Sequence, residues 1–284
     1  MPDVNLNQLT VDQLAIGAPL LKKIPNPFFG QIPRSSSIGD PAITAAQLLK
    51  PYPRFTNVSF YRNNVGSSSY NALRARLEKQ VSRGLSVLAS YTWSHLIDDA
   101  SSVFDASVLT GPIANYPVAD SFNRRLERDS SNGDIPQVFV LSYNYDFPMG
   151  KGPNFDPSGL WGRLASGWNM SRILTLQSGM PFAVTQATNF NAFAGFGVQR
   201  PNIVASPSLP SGQRSVTKYF NTAAFAVTSQ FAIGNASRNP ARSPGYEDFD
   251  LALVKNSVVT ERVNIEFRAE FFNLRIRSDY NNGG

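Results

Sequence analysis

Residues 69–98 read SYNALRARLEKQVSRGLSVLASYTWSHLID, and this stretch decides the fold class of the chain. The pattern predicts two β-strands, 69–79 and 85–97, joined by a polar turn over 80–84 that ends in glycine. Successive strand side chains point to opposite faces, so each strand has one apolar and one polar face. The residues that share the more apolar face are Asn71, Leu73, Ala75 and Leu77 on the first strand and Leu85, Val87, Ala89, Tyr91 and Trp93 on the second.

A helix over 72–80 is the alternative for the first strand, because that segment contains good helix formers. The second strand is rich in aromatic and hydroxyl side chains, which favours strand over a helix pair. The same two-faced alternation returns at 261–272, ERVNIEFRAEFF, where apolar residues alternate with charged and amide residues. The repeated alternation therefore favours the strand interpretation.

Four further strands are predicted at 137–147, 168–178, 247–256 and 261–273. Their connections alternate between shorter and longer: 80–84, 99–136, 148–167, 179–246 and 257–260. Outer-membrane barrels have short periplasmic turns and longer extracellular loops, whereas compact domains rarely contain structureless loops beyond about 15 residues. The sequence therefore predicts an all-β chain, an antiparallel transmembrane β-barrel segment of about six to eight strands from a larger barrel, with long extracellular loops.

The composition narrows the possible functions. The chain has 284 residues, 42% of them hydrophobic and 16% charged, with no cysteine, so thiol catalysis, disulfides and cysteine-ligated metals are excluded. The net charge of +6 is spread along the chain rather than clustered, so no nucleic-acid partner is expected. No apolar run is long enough for a transmembrane helix, and the first residues do not have the pattern of a signal peptide.

Three segments are expected: a long loop over 1–68 that leads into the barrel, the barrel region over 69–274, and a divergent tail over 275–284. Counting strand directions, the chain ends on the outer side. A closing strand is therefore expected beyond this sequence, and earlier strands before it.

At the same residues the chain resembles the C-terminal barrel region of TonB-dependent receptors of the Oar-like kind, which carry a carboxypeptidase-regulatory-like N-terminal domain. The resembling stretches are PNPFFGQIP (25–33), SSYNALRARLEKQVSRGLSVLASYTWSHLIDDASS (68–102), DIPQVFVLSYNYDFPMGKG (134–152), SGWNMSRILTLQSGMPF (166–182), KYFNTAAFA (218–226) and FDLALVKNSVVTERVNIEFRAEFFNL (249–274). The match fails after Leu274, where RIRSDYNNGG replaces the family's last strand with its terminal aromatic residue.

The resemblance implies a barrel of about 22 strands in the outer membrane of a Gram-negative cell, with a plug domain inside the lumen. It implies a receptor that imports a large nutrient ligand. The implied partners are outer-membrane lipid, the N-terminal plug of the parent chain, TonB acting through that plug, and an unidentified large ligand.

Seven charged residues are predicted to face the lumen: Arg74, Arg76, Glu78, Arg262, Glu266, Arg268 and Glu270. Opposite charges on neighbouring strands are expected to neutralise one another. The loops 99–136 and 179–246 are the expected sites of first contact with an external ligand, because loops on a rigid scaffold usually carry recognition.

Neither an enzyme, nor a cofactor, nor a metal site is expected. The single histidine, His95, has Ser94, Asp98 and Asp99 nearby in sequence, but adjacency does not create triad geometry. A calcium site at Asp98, Asp99 and Asp105 lacks the spacing and glycine of a calcium loop.

Two other function classes remain open from the sequence. One is a surface barrel for adhesion or secretion, without import. The other is a soluble carbohydrate-binding β-sandwich, whose charged strand faces would meet bulk water.

Overall fold

A computed structural model describes residues 4–60, 65–81, 84–100, 118–148, 160–215, 217–260 and 262–274. The chain divides into two compact units made from interleaved segments. We call the first the loop unit; it comprises Met1–Tyr70, Leu96–Asp134 and Pro181–Ser243. We call the second the sheet unit; it comprises Asn71–His95, Ile135–Met180 and Pro244–Gly284.

One large sheet contains six long strands. These are β1 (Ser68–Val81), β2 (Leu85–Asp98), β3 (Gln137–Asp146), β4 (Trp168–Gln177), β5 (Tyr246–Thr260) and β6 (Val263–Phe271). Their spatial order is β6-β5-β4-β3-β2-β1, and a two-residue strand, Asp129–Ser130, pairs with the end of β2. The pairs β2–β3, β3–β4, β4–β5 and β5–β6 are antiparallel. Within the described residues the sheet is open, with β1 and β6 as its edges.

The strand register sorts the side chains onto two faces. Tyr91 pairs with Phe139, Phe139 with Leu176, and Leu176 with Glu247, so these residues form one row across four strands. Parallel rows place Leu141, Leu174 and Phe249 on the same face. We call this the apolar face. The opposite, polar face holds the intervening hydroxyl, amide and charged residues of β2 to β6. The predicted alternation is therefore confirmed across the register of β2 to β6.

The end of β5 corrects one prediction. A short turn is predicted at 257–260, but β5 continues through Thr260 and contains a register irregularity between Val258 and Thr260. The reason is local composition, since 257–260 includes two valines and a threonine, and β-branched residues favour a strand. Such residues also rarely adopt the positive φ that a tight hairpin turn requires. Arg262 consequently lies in the turn before β6.

At the end of the sheet with the short turns, two glycines lie in close contact with the backbone of a neighbouring strand. Gly84 has φ of 80°, and its carbonyl accepts from the N–H of Asp146 at 2.8 Å. Gly167 has φ of 75°, and its carbonyl accepts from the N–H of Asn256 at 2.9 Å. A Cβ at Gly167 would lie 2.2 Å from the carbonyl oxygen of Asn256. Both turns therefore need glycine for backbone conformation and for space.

In its described residues, the loop unit is built mainly from short helices, 3-10 turns and short paired strands. Its helices are α1 (Val11–Leu14) and α2 (Ala45–Leu49), and its 3-10 turns are Ala18–Leu21, Arg124–Glu127, Ala192–Ala194, Ser211–Gln213 and Thr222–Ala224. Its paired short strands are Val4–Asn5 with Ser59–Phe60, Lys23–Pro25 with Ala42–Thr44, Pro181–Phe182 with Ala241–Arg242, and Asn202–Ile203 with Phe225–Ala226. A third helix, α3 (Leu160–Ala165), belongs to the sheet unit. Across the described residues, no helix has the length and apolar character needed to cross a membrane.

The loop unit has its own hydrophobic core. Leu9, Leu14 and Leu20 are at most 1% exposed and pack with Ala46, Ala194 and Phe196. Thr10 and Gln13 form a reciprocal capping box at the start of α1, which fixes the direction in which Leu14 enters this core. A 3-10 turn, Ala18–Leu21, follows α1 and brings Leu20 into the same core.

The segment 1–68 is predicted as a long, partly ordered loop that leads into the barrel, and its described part contains α1, α2 and paired short strands around buried leucines. The predicted boundaries at 68 and 274 stay predictions, because the two units interleave along the chain. The predicted tail 275–284 and Asp105 lie outside the described residues.

Candidate functional site

Six of the seven predicted lumen-facing charges fall into two groups that the sheet keeps apart, and the seventh, Arg262, lies in the turn before β6. Arg74, Arg76 and Glu78 belong to β1, and Glu266, Arg268 and Glu270 belong to β6. Since β1 and β6 are the two edges of the sheet, four strands separate the groups. Their orientation toward a lumen stays a prediction.

The ion pairs run along single strands rather than between neighbours. Arg76 contacts Glu78 at 3.0 Å, and Arg268 contacts both Glu266 and Glu270 at 3.3 Å. The expected neutralisation across neighbouring strands is therefore wrong for β6. The cause is its register, because the partners of these three residues on β5 are Asn256, Val254 and Ala252, which carry no charge.

Exposure limits what these charges do for stability. The side chains of Arg76 and Glu78 are 67% and 64% exposed. Exposed pairs of this kind contribute about 0–1 kcal/mol. The charges on the two edge strands are thus available to solvent or to a partner and add little to folding.

The polar face between the edges is ordered by hydrogen bonds between strands. The side-chain amide of Asn169 donates to the Asp146 carboxylate at 2.6 Å, and the Ser171 hydroxyl donates to Oδ1 of Asn144 at 2.9 Å. Glu78 lines a shallow groove of about 190 Å³ together with Ser86, Ser142 and Asn144, among others. The groove carries one carboxylate, Glu78, and one ammonium, Lys79, both from β1.

Side-chain amides hold the loop unit together. Asn191 donates to the Ala232 carbonyl at 2.8 Å and accepts from the Phe231 N–H at 2.9 Å. Gln8 donates to Asp120 at 2.8 Å and accepts from the Ser121 N–H at 3.1 Å. These buried amides satisfy backbone groups that a sheet ladder would otherwise satisfy. They fix segments that are far apart in sequence into one scaffold.

A groove of about 400 Å³ opens on the loop unit, and we call it the amide groove. Its described lining residues are Asn5, Thr56, Asn57, Ser59, Val118, Ser121, Ala192, Gly195, Phe196 and Gly197. None of them is charged. Hydroxyl and amide groups both donate and accept hydrogen bonds, and Phe196 and Val118 add an apolar wall. Such a surface suits a neutral ligand rich in hydroxyl or amide groups.

Gly195, in the wall of the amide groove, packs closely against the segment around Asn5 and Asn7. The carbonyl of Gly195 accepts from Nδ2 of Asn5 at 2.8 Å, and a Cβ at Gly195 would lie 2.6 Å from the Asn7 carbonyl oxygen. Gly195 has φ of 91°, a conformation that glycine adopts without strain. Recognition is predicted for the loops 99–136 and 179–246, which supply two and four of the lining residues, whereas Asn5 and the lining residues within 56–59 lie outside both loops. The sequence signal there is the polar set Thr56, Asn57 and Ser59. This signal is weak, because such residues are common in loops whether or not they bind a ligand.

Buried ion pairs brace the loop unit. Arg200 contacts Glu127 at 2.6 Å with both side chains at most 7% exposed, and Glu127 also accepts from the Ala119 N–H at 2.8 Å. Arg238 pairs with Asp98 in the same unit. Lys50 is 7% exposed, and burial lowers its pKa from 10.5. The ion pairs of Arg200 and Arg238 join residues that do not line the amide groove.

The residues near His95 are engaged in structural contacts. The Ser94 hydroxyl donates to the Ile135 carbonyl at 3.0 Å. Asp98 pairs with Arg238, and Asp99 pairs with Arg124 at 3.3 Å. In the described part of the chain, no group of three His, Cys, Asp or Glu side chains is arranged to hold a metal ion. The expectations of no enzyme, no cofactor and no metal stay predictions.

Comparison with known proteins gives one match. A family model described as "Outer membrane beta barrel domain" matches residues 2–282. No curated protein and no solved structure matches the chain. The match covers nearly all of the sequence, and it agrees with the two-faced strands and the large antiparallel sheet. The chain therefore belongs to the outer membrane beta barrel domain family and is a protein of the outer membrane.

Proposed function

We propose that this chain is part of a TonB-dependent receptor that captures a large nutrient at the cell surface and imports it through the barrel. The resemblance to Oar-like receptors over 25–274 supports the energy-dependent part of this proposal. The proposed partners are outer-membrane lipid, a plug domain elsewhere in the parent protein, and TonB acting through that plug.

The observation that carries the recognition step is the amide groove. The long connections 99–136 and 179–246 contribute to a loop unit with its own core instead of remaining separate loops. A groove held by buried amides and glycine is preorganised, which reduces the entropy lost when a ligand binds. Because its described lining is uncharged, a neutral, hydroxyl-rich nutrient such as an oligosaccharide fits better than a strongly charged one.

The test is uptake of fluorescently labelled neutral oligosaccharides by cells that express the parent gene, with and without TonB. Accumulation that needs both the gene and TonB supports the proposal. Surface binding that is equal with and without TonB would instead favour a barrel for adhesion or secretion. A chain that leaves the membrane fraction without detergent would favour the soluble carbohydrate-binding sandwich.

A paired substitution tests the groove itself. Asn57→Asp places a carboxylate in the amide groove, whereas Thr185→Asp places one at an exposed position that does not line it. We expect the first to lower oligosaccharide binding about tenfold, equivalent to the loss of ~1.4 kcal/mol, and the second to leave it unchanged. Equal effects of the two substitutions would remove the groove from the proposal.

A further inference from the structure

A second groove, of about 430 Å³, lies at the end of the sheet where β4 ends and β5 begins. Its lining includes the row Tyr91, Phe139, Leu176 and Glu247, together with Gln137 and Gln177. The register places the first four residues side by side on the apolar face. We call this the rim groove.

The rim groove has the composition of a membrane interface. In outer-membrane barrels the apolar side of the strands faces lipid, and aromatic residues form girdles at headgroup depth. Tyr91 and Leu176 are 38% and 37% exposed, and Trp93, the next residue on this face of β2, is 58% exposed. The groove therefore lies where an apolar surface meets polar lipid headgroups.

Glu247 gives the groove its chemical preference. It is the second residue of β5 and pairs in register with Leu176 on the apolar face. Within the described part of the chain its carboxylate makes no hydrogen bond or ion pair. A carboxylate at the edge of an apolar surface is stabilised by a cation that takes the place of lost hydration.

The neighbouring residues favour an ammonium as that cation. The ring faces of Tyr91 and Phe139 attract a cation electrostatically, and the amide oxygen of Gln137, which pairs with Trp93 on the same face, can accept an N–H bond. We propose that the rim groove binds the ammonium headgroup of a membrane phospholipid, with Glu247 as the counter-charge and the acyl chains lying along the apolar face. This site is separate from the amide groove and does not depend on nutrient import.

The test titrates the full chain in detergent with phosphatidylethanolamine and with N-acetyl-phosphatidylethanolamine of the same acyl chains, and counts bound lipids by native mass spectrometry. The second lipid keeps the phosphate and chains but has no ammonium. We expect the natural chain to prefer the ammonium lipid about fivefold, which corresponds to ~1 kcal/mol. No preference would overturn the proposal.

Two variants locate the site. Glu247→Gln keeps the shape of the side chain and is expected to abolish the preference. Asp250→Asn is the matched control, because Asp250 belongs to the same strand and its register partner is Ile173 of the polar face; this variant should keep the preference. Equal loss in both variants would overturn the assignment to the rim groove. If free ethanolamine competes at concentrations equal to that of the lipid, the groove is a site for soluble amines, and the proposal that it binds a membrane lipid is wrong.

Discussion

The guanidinium carbon of Arg172 lies 3.7 Å from the centroid of the Phe249 ring. Arg172 is the fifth residue of β4 and occupies the row of Tyr143 and Leu251 on the apolar face. Its Nε is buried without a hydrogen-bond partner. A cation–π contact of this kind contributes up to about 2 kcal/mol when it is desolvated, and it offsets part of the cost of a charge among apolar residues.

Replacement of Arg172 tests whether the apolar face contacts lipid. An arginine on the lipid face costs about 2–4 kcal/mol at the midplane of the bilayer. After allowing for the lost stacking on Phe249, we expect Arg172→Leu to raise the free energy of unfolding in vesicles by about 1–2 kcal/mol. Urea titration followed by tryptophan fluorescence measures this. A lower stability for Arg172→Leu would mean that the arginine faces a polar partner rather than lipid.

The reverse substitution uses two adjacent residues of β5. Leu253 pairs with Met170 and Ala269 on the apolar face, and Val254 pairs with Asn169 and Arg268 on the polar face. We expect Leu253→Arg to cost about 2–4 kcal/mol in vesicles, as should Phe267→Arg, whereas Val254→Arg and Arg268→Ala should cost less than about 1 kcal/mol. Equal costs on the two faces would reverse the inside–outside assignment.

The sheet was predictable because its residues obey a local rule. Alternation with period two, as in Phe139, Leu141 and Tyr143, fixes both the strand and the face, and the register then aligns the apolar faces of β2 to β6. The end of β5 was not predictable in the same way. A register irregularity at Val258 changes the alternation without changing the residue types that favour a strand.

The loop unit was not predictable, since no periodic pattern encodes it. Its segments are joined by amides such as Gln8, Asn191 and Gln199, which bond residues 29 to 113 positions away. An asparagine or glutamine in a loop has the same local signal whether it is buried in such a network or exposed. The amide groove depends on these long-range bonds, so the sequence predicted only the part of its lining that the two long loops contribute.

Gly167 is predicted to be the least replaceable of the described turn glycines in the sheet unit. In Gly167→Ala the new Cβ would meet the Asn256 carbonyl oxygen at 2.2 Å while the backbone keeps φ of 75°. We expect a loss of about 3 kcal/mol or more, because both β4 and β5 must shift. Gly30→Ala is the control, since Gly30 has φ of 80° but open space around the Cβ position, and should cost about 1 kcal/mol. Similar losses in both variants would mean that φ alone is responsible.

Because burial lowers the pKa of Lys50, we expect the loop unit to be less stable at neutral pH than in alkaline solution. Burial lowers its folded pKa below the unfolded value of 10.5, so below the folded pKa both states are charged and the full burial cost is present. As the pH rises from the folded pKa to 10.5, the folded lysine loses its proton first and stability increases. We expect Lys50→Met to be more stable than the natural chain by about 1 kcal/mol at pH 7, with the difference shrinking toward pH 10.5. Thermal unfolding over this pH range measures it, with the exposed Lys22→Met as the control. A difference that does not vary with pH would show that packing, rather than charge, is the cause.

The pair of Arg200 and Glu127 should behave as a unit. Glu127→Ala leaves the Arg200 guanidinium buried without its carboxylate, which costs about 3–5 kcal/mol. The Ala119 N–H, which donates to Glu127 at 2.8 Å, loses its acceptor in this variant, so its hydrogen exchange reports directly on the loss of the carboxylate. We expect exchange at Ala119 to accelerate by about two to three orders of magnitude in Glu127→Ala. The double variant Glu127→Leu with Arg200→Met removes both charges and keeps the volume, so the global melting temperature should fall less than in the single variant. The Arg200 guanidinium also donates to the Leu126 carbonyl at 2.7 Å. Equal falls in melting temperature in the single and double variants would show that such hydrogen bonds to the backbone stabilise the loop unit more than the charge pair does.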